Sequence, residues 1–157
     1  VRYMRPERLQ VSVMQLYHLV YFSSRLSNSD DEFQQILAVC RRNNADIGLT
    51  GALFASDDHY FQVLEGPRSA LSRVLQVVMN DPRHTDVVIT LCEPVKARAF
   101  GSWRMAEMSV HNPQLAAIYQ MFTEQVATPA ELTGEVICDM IVTMHGVLDD
   151  TDMAETV

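Results

Sequence analysis

Two side chains in this sequence have types that could do chemistry on unusual ground. Tyr21 lies in the apolar run LYHLVYF and Gln62 in HYFQVLEG, with RRNN and LTGALF between them. A buried phenol needs a polar partner, and a buried amide brings two donors and an acceptor that together can engage up to four. By strand alternation Gln62 shares a face with Tyr60 and Leu64, while Phe61 and Val63 share the other, so its burial depends on which face meets the helices. Two readings follow: an inward amide in search of partners, or an amide satisfied by backbone at a sheet edge. Pattern alone favours the second, and by spacing alone Tyr21 reads as a core tyrosine before it reads as a redox group. The other polar candidates have equally ordinary readings. Asn43 and Asn44 suit a helix C-terminus, Arg83 and His84 a solvated helix end, and Trp103 with Met105, two apart, strand packing. Glu65 in LEGP could act as a base, but a lone carboxylate at a strand end before a helix is more often structural.

Several classes of chemistry find no support. The chain has no GxSxG elbow, P-loop, GxGxxG or HExxH, and so lacks the usual hydrolase, nucleotide and zinc-peptidase patterns. His18, His59, His84, His111 and His145 are scattered, with none at metal-ligand spacing from another His or a Cys, so no metal site is expected. A formal charge of -8, with no basic stripe beyond Arg41-Arg42, argues against nucleic acid. The three cysteines, Cys40, Cys92 and Cys138, are odd in number and widely spaced, which suggests a reducing cytoplasm over a disulfide framework. No apolar run reaches the roughly 18 to 20 residues that cross a bilayer, so no membrane partner is expected.

The elements that must position these residues can be read in order. Residues 1–13 are basic and irregular and precede Met14, and are expected to be an extension outside the folded unit. LYHLVYF reads as a strand and SSRLSNSD as a loop. Ser29 and Glu32 then form a capping box before Phe33, Ile36, Leu37 and Cys40 at i, i+3, i+4, i+7, a helix that runs out near Asn44. GLTGALFAS and HYFQVLEG around Asp57-Asp58 predict a hairpin. Gly66-Pro67 opens a second helix with Leu71, Val74, Leu75 and Val78 on one face, ended by NDPRH. DVVITLCE is a further strand and SWRMAEM a short last one. This βαββαβ order with an added strand predicts an α+β, ferredoxin-like sandwich, two helices on one face of a mixed sheet. Residues 14–110 form that domain. Residues 111–148 form a helical extension: Asn112-Pro113 starts a helix bearing Leu115, Ile118, Tyr119 and Phe122, and Thr128-Pro129 with Glu131 starts another bearing Leu132, Val136, Met140 and Met144. Their apolar faces could cover the outer face of the sheet or dock a partner, and residues 149–157 form an acidic tail.

Taken together, LVYFSS, RRNN, LTGALF, YFQVLEGP, NDPRH and FGSWRM resemble, in order and with fitting loop lengths, the BLUF domain, a blue-light sensor that uses a flavin. The likeness runs from about Leu16 to Met108. It implies a ferredoxin-like fold with the flavin ring between the two helices. It also implies that Tyr21 is the electron and proton donor, that Gln62 bridges it to the flavin, and that Asn44 bonds the ring edge with Asn43 beside it. Arg83 and His84 match an Arg-His pair on the cofactor, Ile36 an apolar ring contact, and Trp103 and Met105 the last-strand pair that exchanges places in the core. Val77 departs from the pattern, standing where some members carry an arginine near the ribityl or phosphate end. The cofactor implied is FAD, with FMN or riboflavin as alternatives.

The implied photochemistry is a light-driven electron and proton transfer from Tyr21 that leaves Gln62 rotated or tautomerised, with a small red shift of the flavin spectrum. Only about 50 residues follow Met108, so the expectation is a stand-alone sensor and not an enzyme. It would signal to a separate protein or through its oligomeric state, with its two terminal amphipathic helices as docking surface. The competing readings are a small enzyme using Arg83, Asn44 and Glu65 as an anion site with a base, and a ligand-binding regulatory module that uses the same cleft without photochemistry.

Overall fold

The computed structural model describes residues 14–124 and 128–154. The expected extension at 1–13 lies outside the described residues. The chain folds as β1 (Leu16–Arg25), α1 (Asp30–Ile47), β2 (Thr50–Ala55), β3 (His59–Pro67), α2 (Arg68–Met79), β4 (His84–Val95), β5 (Ala106–Ser109), α3 (Pro113–Thr123), a 3-10 turn (Pro129–Glu131) and α4 (Gly134–Ala154). The sheet runs β4-β1-β3-β2-β5. Its pairs are antiparallel except β2 with β5. This is the ferredoxin-like α+β arrangement with one strand added in parallel at the edge.

Strand alternation divides the core in two. Leu19, Tyr21, Leu53, Tyr60 and Leu64 pack with Phe33 and Leu37 of α1 and Ala70 and Leu71 of α2. Val20, Phe22, Phe54, Phe61 and Val63 pack on the opposite face with Leu115 of α3 and Ile137, Met140, Ile141 and Met144 of α4. Both faces are therefore covered, and Gln62 belongs to the face beneath α1 and α2. The terminal helices spend their apolar sides on the sheet. Of the two uses expected for them, cover for the outer face of the sheet is the one seen, and α4 leaves Val142 as its one strongly exposed large apolar residue among those described.

Local chemistry sets the boundaries. Ser29 Oγ accepts from the Glu32 amide at 3.3 Å, and three acidic residues, Asp30, Asp31 and Glu32, fill the first turn of α1, where they oppose the positive end of the helix dipole. The helix continues past Asn44 to Ile47, because Gly48 supplies the left-handed cap (φ 73°) and returns its N–H to the Asn44 carbonyl. The asparagine pair thus sits inside the last turn. Gly51 is required for a different reason: a Cβ there would lie 2.0 Å from the Val63 carbonyl oxygen, so only glycine lets β2 approach β3 this closely.

Asn112 caps α3 as its position predicts, with Oδ1 accepting from Gln114 and Leu115 at 2.9 and 3.3 Å. The side chains of Ile118 and Phe122 lie outside the described residues. The last helix begins later than expected: Thr128-Pro129 forms only the 3-10 turn, and Thr133 Oγ1 caps α4 by accepting from Val136. Its apolar stripe then places Met140 and Met144 in the core, and the helix runs on through Asp149, where a tail was expected. Strand β4 starts at His84, ahead of the expected DVVITLCE. A pairing irregularity between Phe22 and Ser24 accommodates Asp86 at φ 53°, a left-handed conformation that Asp tolerates in a bulge.

Candidate functional site

Between α1 and α2, above the sheet, lies a cleft with about 590 Å3 of unfilled space, part of it open to solvent. Its walls are Ile36, Val39 and Cys40 of α1, Val74, Val77 and Val78 of α2, and Leu53 and Tyr60 of the sheet, with Tyr21, Asn43, Asn44, Asp81, Arg83 and His84 as polar lining. Six of the residues singled out by sequence converge here: Tyr21, Ile36, Asn43, Asn44, Arg83 and His84. Gln62 and Met105 are one contact further in.

The register explains the central pair. Tyr21 and Gln62 face each other across β1 and β3. The Tyr21 hydroxyl donates to Gln62 Oε1. Both residues are buried, at 3% and 1% exposure. Burial, then the Cys40, Asp81 and Tyr60 charges, raise the phenol pKa well above its ordinary value, so it stays protonated and able to donate. The amide nitrogen of Gln62 is served far less well. Its contacts are Met105 Sδ at 3.5 Å and Cys40 Sγ at 3.8 Å, and thioether and thiol are weak acceptors. A buried carboxamide whose N–H groups meet only sulfur has capacity left for a stronger acceptor.

The mouth of the cleft is built by the NDPRH segment. Arg83 Nε donates to both oxygens of Asp81 at 2.8 and 3.0 Å, and this contact holds the Asp81 carboxyl below the usual carboxylate range. His84 is no solvated helix end. Its Nδ1 pairs with Ser23 Oγ at 2.7 Å and its Nε2 with the Val78 carbonyl at 2.8 Å. Its ring meets those of Tyr21 and Tyr60 edge-on, with centroids 6.4 and 6.1 Å apart. It joins β1, α2 and β4 under the cleft. Asn44 is 2% exposed and donates to the Arg104 carbonyl at 2.7 Å, and Arg41 Nε donates to that of Met105 at 3.1 Å. Helix α1 thereby clasps the segment leading into β5.

That segment corrects one expectation. Trp103 and Met105 are not on the last strand, which begins at Ala106. A turn closed by Trp103 N–H on the Phe100 carbonyl is followed by bends at Arg104 and Met105, so strand alternation does not hold across this stretch and the two residues lie on different faces. Met105 packs beneath α1 and α2, while Trp103 packs on the side of α3 and α4. Met105, and not Trp103, touches Gln62.

Glu65 is not brought to the cleft at all. Its fully buried carboxylate points to the other face, where His18 Nε2 (2.9 Å), Thr50 Oγ1 (2.8 Å) and the amides of Ala99 (2.6 Å) and Phe100 (3.0 Å) surround it. Burial pushes its pKa up, but these partners outweigh burial and leave it below its ordinary value. The proposed grouping of Arg83, Asn44 and Glu65 is absent. Among the cleft residues that escaped sequence reasoning as site residues are Cys40 and Asp81. Cys40 read only as part of an apolar stripe, although it lies four residues before Asn44 and so one turn along the same face. Asp81 read only as part of a helix stop, although its spacing from Arg83 allows the ion pair.

The family model for BLUF, "Sensors of blue-light using FAD", matches residues 16–106, more than half of the chain. Among curated proteins, the chain is similar to the blue light- and temperature-regulated antirepressor BluF of Escherichia coli (strain K12), at 34% identity over 46% of this chain and 19% of that protein. It is also similar to photoactivated adenylate cyclase subunit beta of Euglena gracilis, at 29% identity over 68% of this chain and 13% of that protein. The chain thus spans less than a fifth of either relative. Among solved structures, the dark state of the BLUF protein BlrB superposes with a TM-score of 0.71 at 29% identity, covering 85% of this chain and 97% of that one. That coverage reaches beyond residue 106 into the terminal helices. A cleft between two helices, lined by a phenol that is bonded to an under-satisfied amide, now has its context: the chain belongs to the BLUF family of blue-light sensors.

Proposed function

We propose that the cleft binds a flavin, and that Tyr21 and Gln62 carry the light-driven switch of this chain. The observation that carries this reading is the buried Gln62 carboxamide, whose oxygen is taken by Tyr21 and whose N–H groups meet only sulfur. The residues fit such a group. A flat heterocycle suits the apolar walls supplied by Ile36, Val74 and Leu53, and its polar rim suits Asn43, Asn44 and the Gln62 N–H groups. Bound flavin supplies blue-light absorption and a strong oxidant in its excited state.

Everything else falls to the protein. Tyr21 would give up an electron to the excited flavin and pass its proton along the existing hydrogen bond to Gln62 Oε1. The electron then returns and the phenol takes back one proton from the amide: the one placed on its oxygen, which leaves the amide free to end rotated, or one from its nitrogen, which leaves it tautomerised. Its donor and acceptor sides exchange places, so its bonds to Tyr21, Met105 and the flavin edge are rewired without a covalent product. Burial that keeps Tyr21 protonated in the dark keeps this path loaded.

Output runs through the segment that Gln62 touches. Met105 loses or gains its amide contact, and its backbone is tied to α1 by Arg41 while the adjoining Trp103 rests on the cluster containing α3 and α4. A two-state change at Gln62 can therefore bias both helical layers. The receiver is a separate effector protein or a second copy of the chain. The cytoplasm is the proposed location, and no described helix is long and apolar enough to cross a membrane. Absorption spectra of the flavin-loaded protein before and after blue illumination test the reading. A red shift that decays in the dark supports it, and an unchanged spectrum refutes it.

A further inference from the structure

We infer that Arg73 is a phosphate-binding residue that makes this chain prefer phosphorylated flavins over riboflavin; this rests on the reading of the cleft as the flavin site. On the outer side of α2 lies a groove lined by Arg73, Gln76, Val77, Asn80, Pro82, Asp81 and Arg83. Val77, Asp81 and Arg83 also line the cleft, so the two spaces meet at the same rim. A ligand with its ring between α1 and α2 and a longer polar tail leaves across Val77 into this groove.

The cations nearby decide what that tail meets. Arg83 is committed to Asp81 through three hydrogen bonds. Arg68, at the start of the same helix, lies 4.5 Å over the Tyr17 ring and bonds its hydroxyl. Arg73 is exposed and has no ion pair or hydrogen bond among the described residues. It lies four residues before Val77 and seven before Asn80, which puts all three on one side of the helix. With an apolar side chain at 77, a cation one turn earlier is the group left to meet a 5′-phosphate. Arg is suited to that task by its bidentate fork. Asp81 opposes an anion at the same rim, but Arg83 already neutralises it.

The test is equilibrium binding of riboflavin, FMN and FAD to the flavin-free full chain, followed by quenching of flavin fluorescence, at low and physiological ionic strength. One exposed charge-assisted contact should make FMN and FAD bind on the order of tenfold more tightly than riboflavin at low salt, with the preference shrinking as salt rises. Arg73→Ala should bring FMN and FAD down to the riboflavin level while leaving riboflavin itself unchanged, and Arg73→Lys should keep part of the preference. Equal binding of all three by the unaltered chain overturns the assignment. So does an Arg73→Ala chain that keeps the preference or loses riboflavin equally. Failure of every flavin to bind the unaltered chain refutes the flavin site itself, a result distinct from these.

Discussion

Strand β3 carries two fully buried polar side chains three residues apart, Gln62 and Glu65, and they behave in opposite ways. Glu65 is ionised and saturated: an imidazole, a hydroxyl and two backbone amides converge on it within 3.0 Å. Arg98 adds a second layer by bonding Thr50 Oγ1 and the carbonyls of Glu65 and Gly48, each at 2.8 Å. Gln62 is neutral and half-served, with one good bond to Tyr21 and two weak contacts to sulfur. A buried polar group with every partner in place fixes a structure. One with capacity to spare is a place where a ligand can bind and where two hydrogen-bond arrangements can be close in free energy. The Glu65 cluster pins the chain between β4 and β5, and the Gln62 cluster is the one proposed to respond.

The largest effect is expected at Glu65. Glu65→Ala orphans His18, Thr50 and two amides inside the protein, and should lower stability by about 3–5 kcal/mol in chemical denaturation. A loss below about 1 kcal/mol would show that the cluster is not the anchor described. Acid probes the same group more gently. Because its folded pKa is depressed, its contribution is present above the unfolded carboxylate pKa and lost as pH falls through the folded value. Stability should therefore decline on acidification below the usual carboxylate range, and Glu65→Gln should flatten that part of the profile.

Smaller effects are expected on the other side. Gln62→Leu leaves the Tyr21 hydroxyl unpaired and should cost about 1–3 kcal/mol. The double variant Tyr21→Phe with Gln62→Leu removes both partners together and should be nearly neutral, within about 1 kcal/mol, while the light response disappears. A double variant that unfolds as readily as Glu65→Ala would erase the distinction between anchoring and responding groups.

How far the sequence alone reaches follows from the same contrast. Periodicity located α1 and α2 because each buries one face, the polar Asp57-Asp58 turn between two apolar runs marked the hairpin, and Asn112 announced the start of α3 through its capping chemistry. Alternation correctly grouped Gln62 with Tyr60 and Leu64. It could not say what lay above them, since α1 and α2 reach that face only through tertiary packing. Trp103 and Met105 looked like a same-face pair because two-residue spacing is read as strand, and the turn closed on Phe100 is not visible in residue types. Glu65 read as more often structural than a base, but its partners His18, Thr50, Ala99 and Phe100 could not be named because they come from three distant stretches. The roles proposed for Tyr21 and Gln62 rest on the resemblance carried by the ordered set of short motifs and not on periodicity, which favours a core tyrosine and a satisfied amide.

Tyr21, through its bond to Gln62, is the proposed source of the switch. The direct measurement is the blue-light difference spectrum of flavin-loaded Tyr21→Phe beside the unaltered chain. The unaltered chain should show a red shift that recovers in the dark, and Tyr21→Phe should keep its flavin and its fold but show no such shift. A normal shift and recovery in Tyr21→Phe would contradict the account.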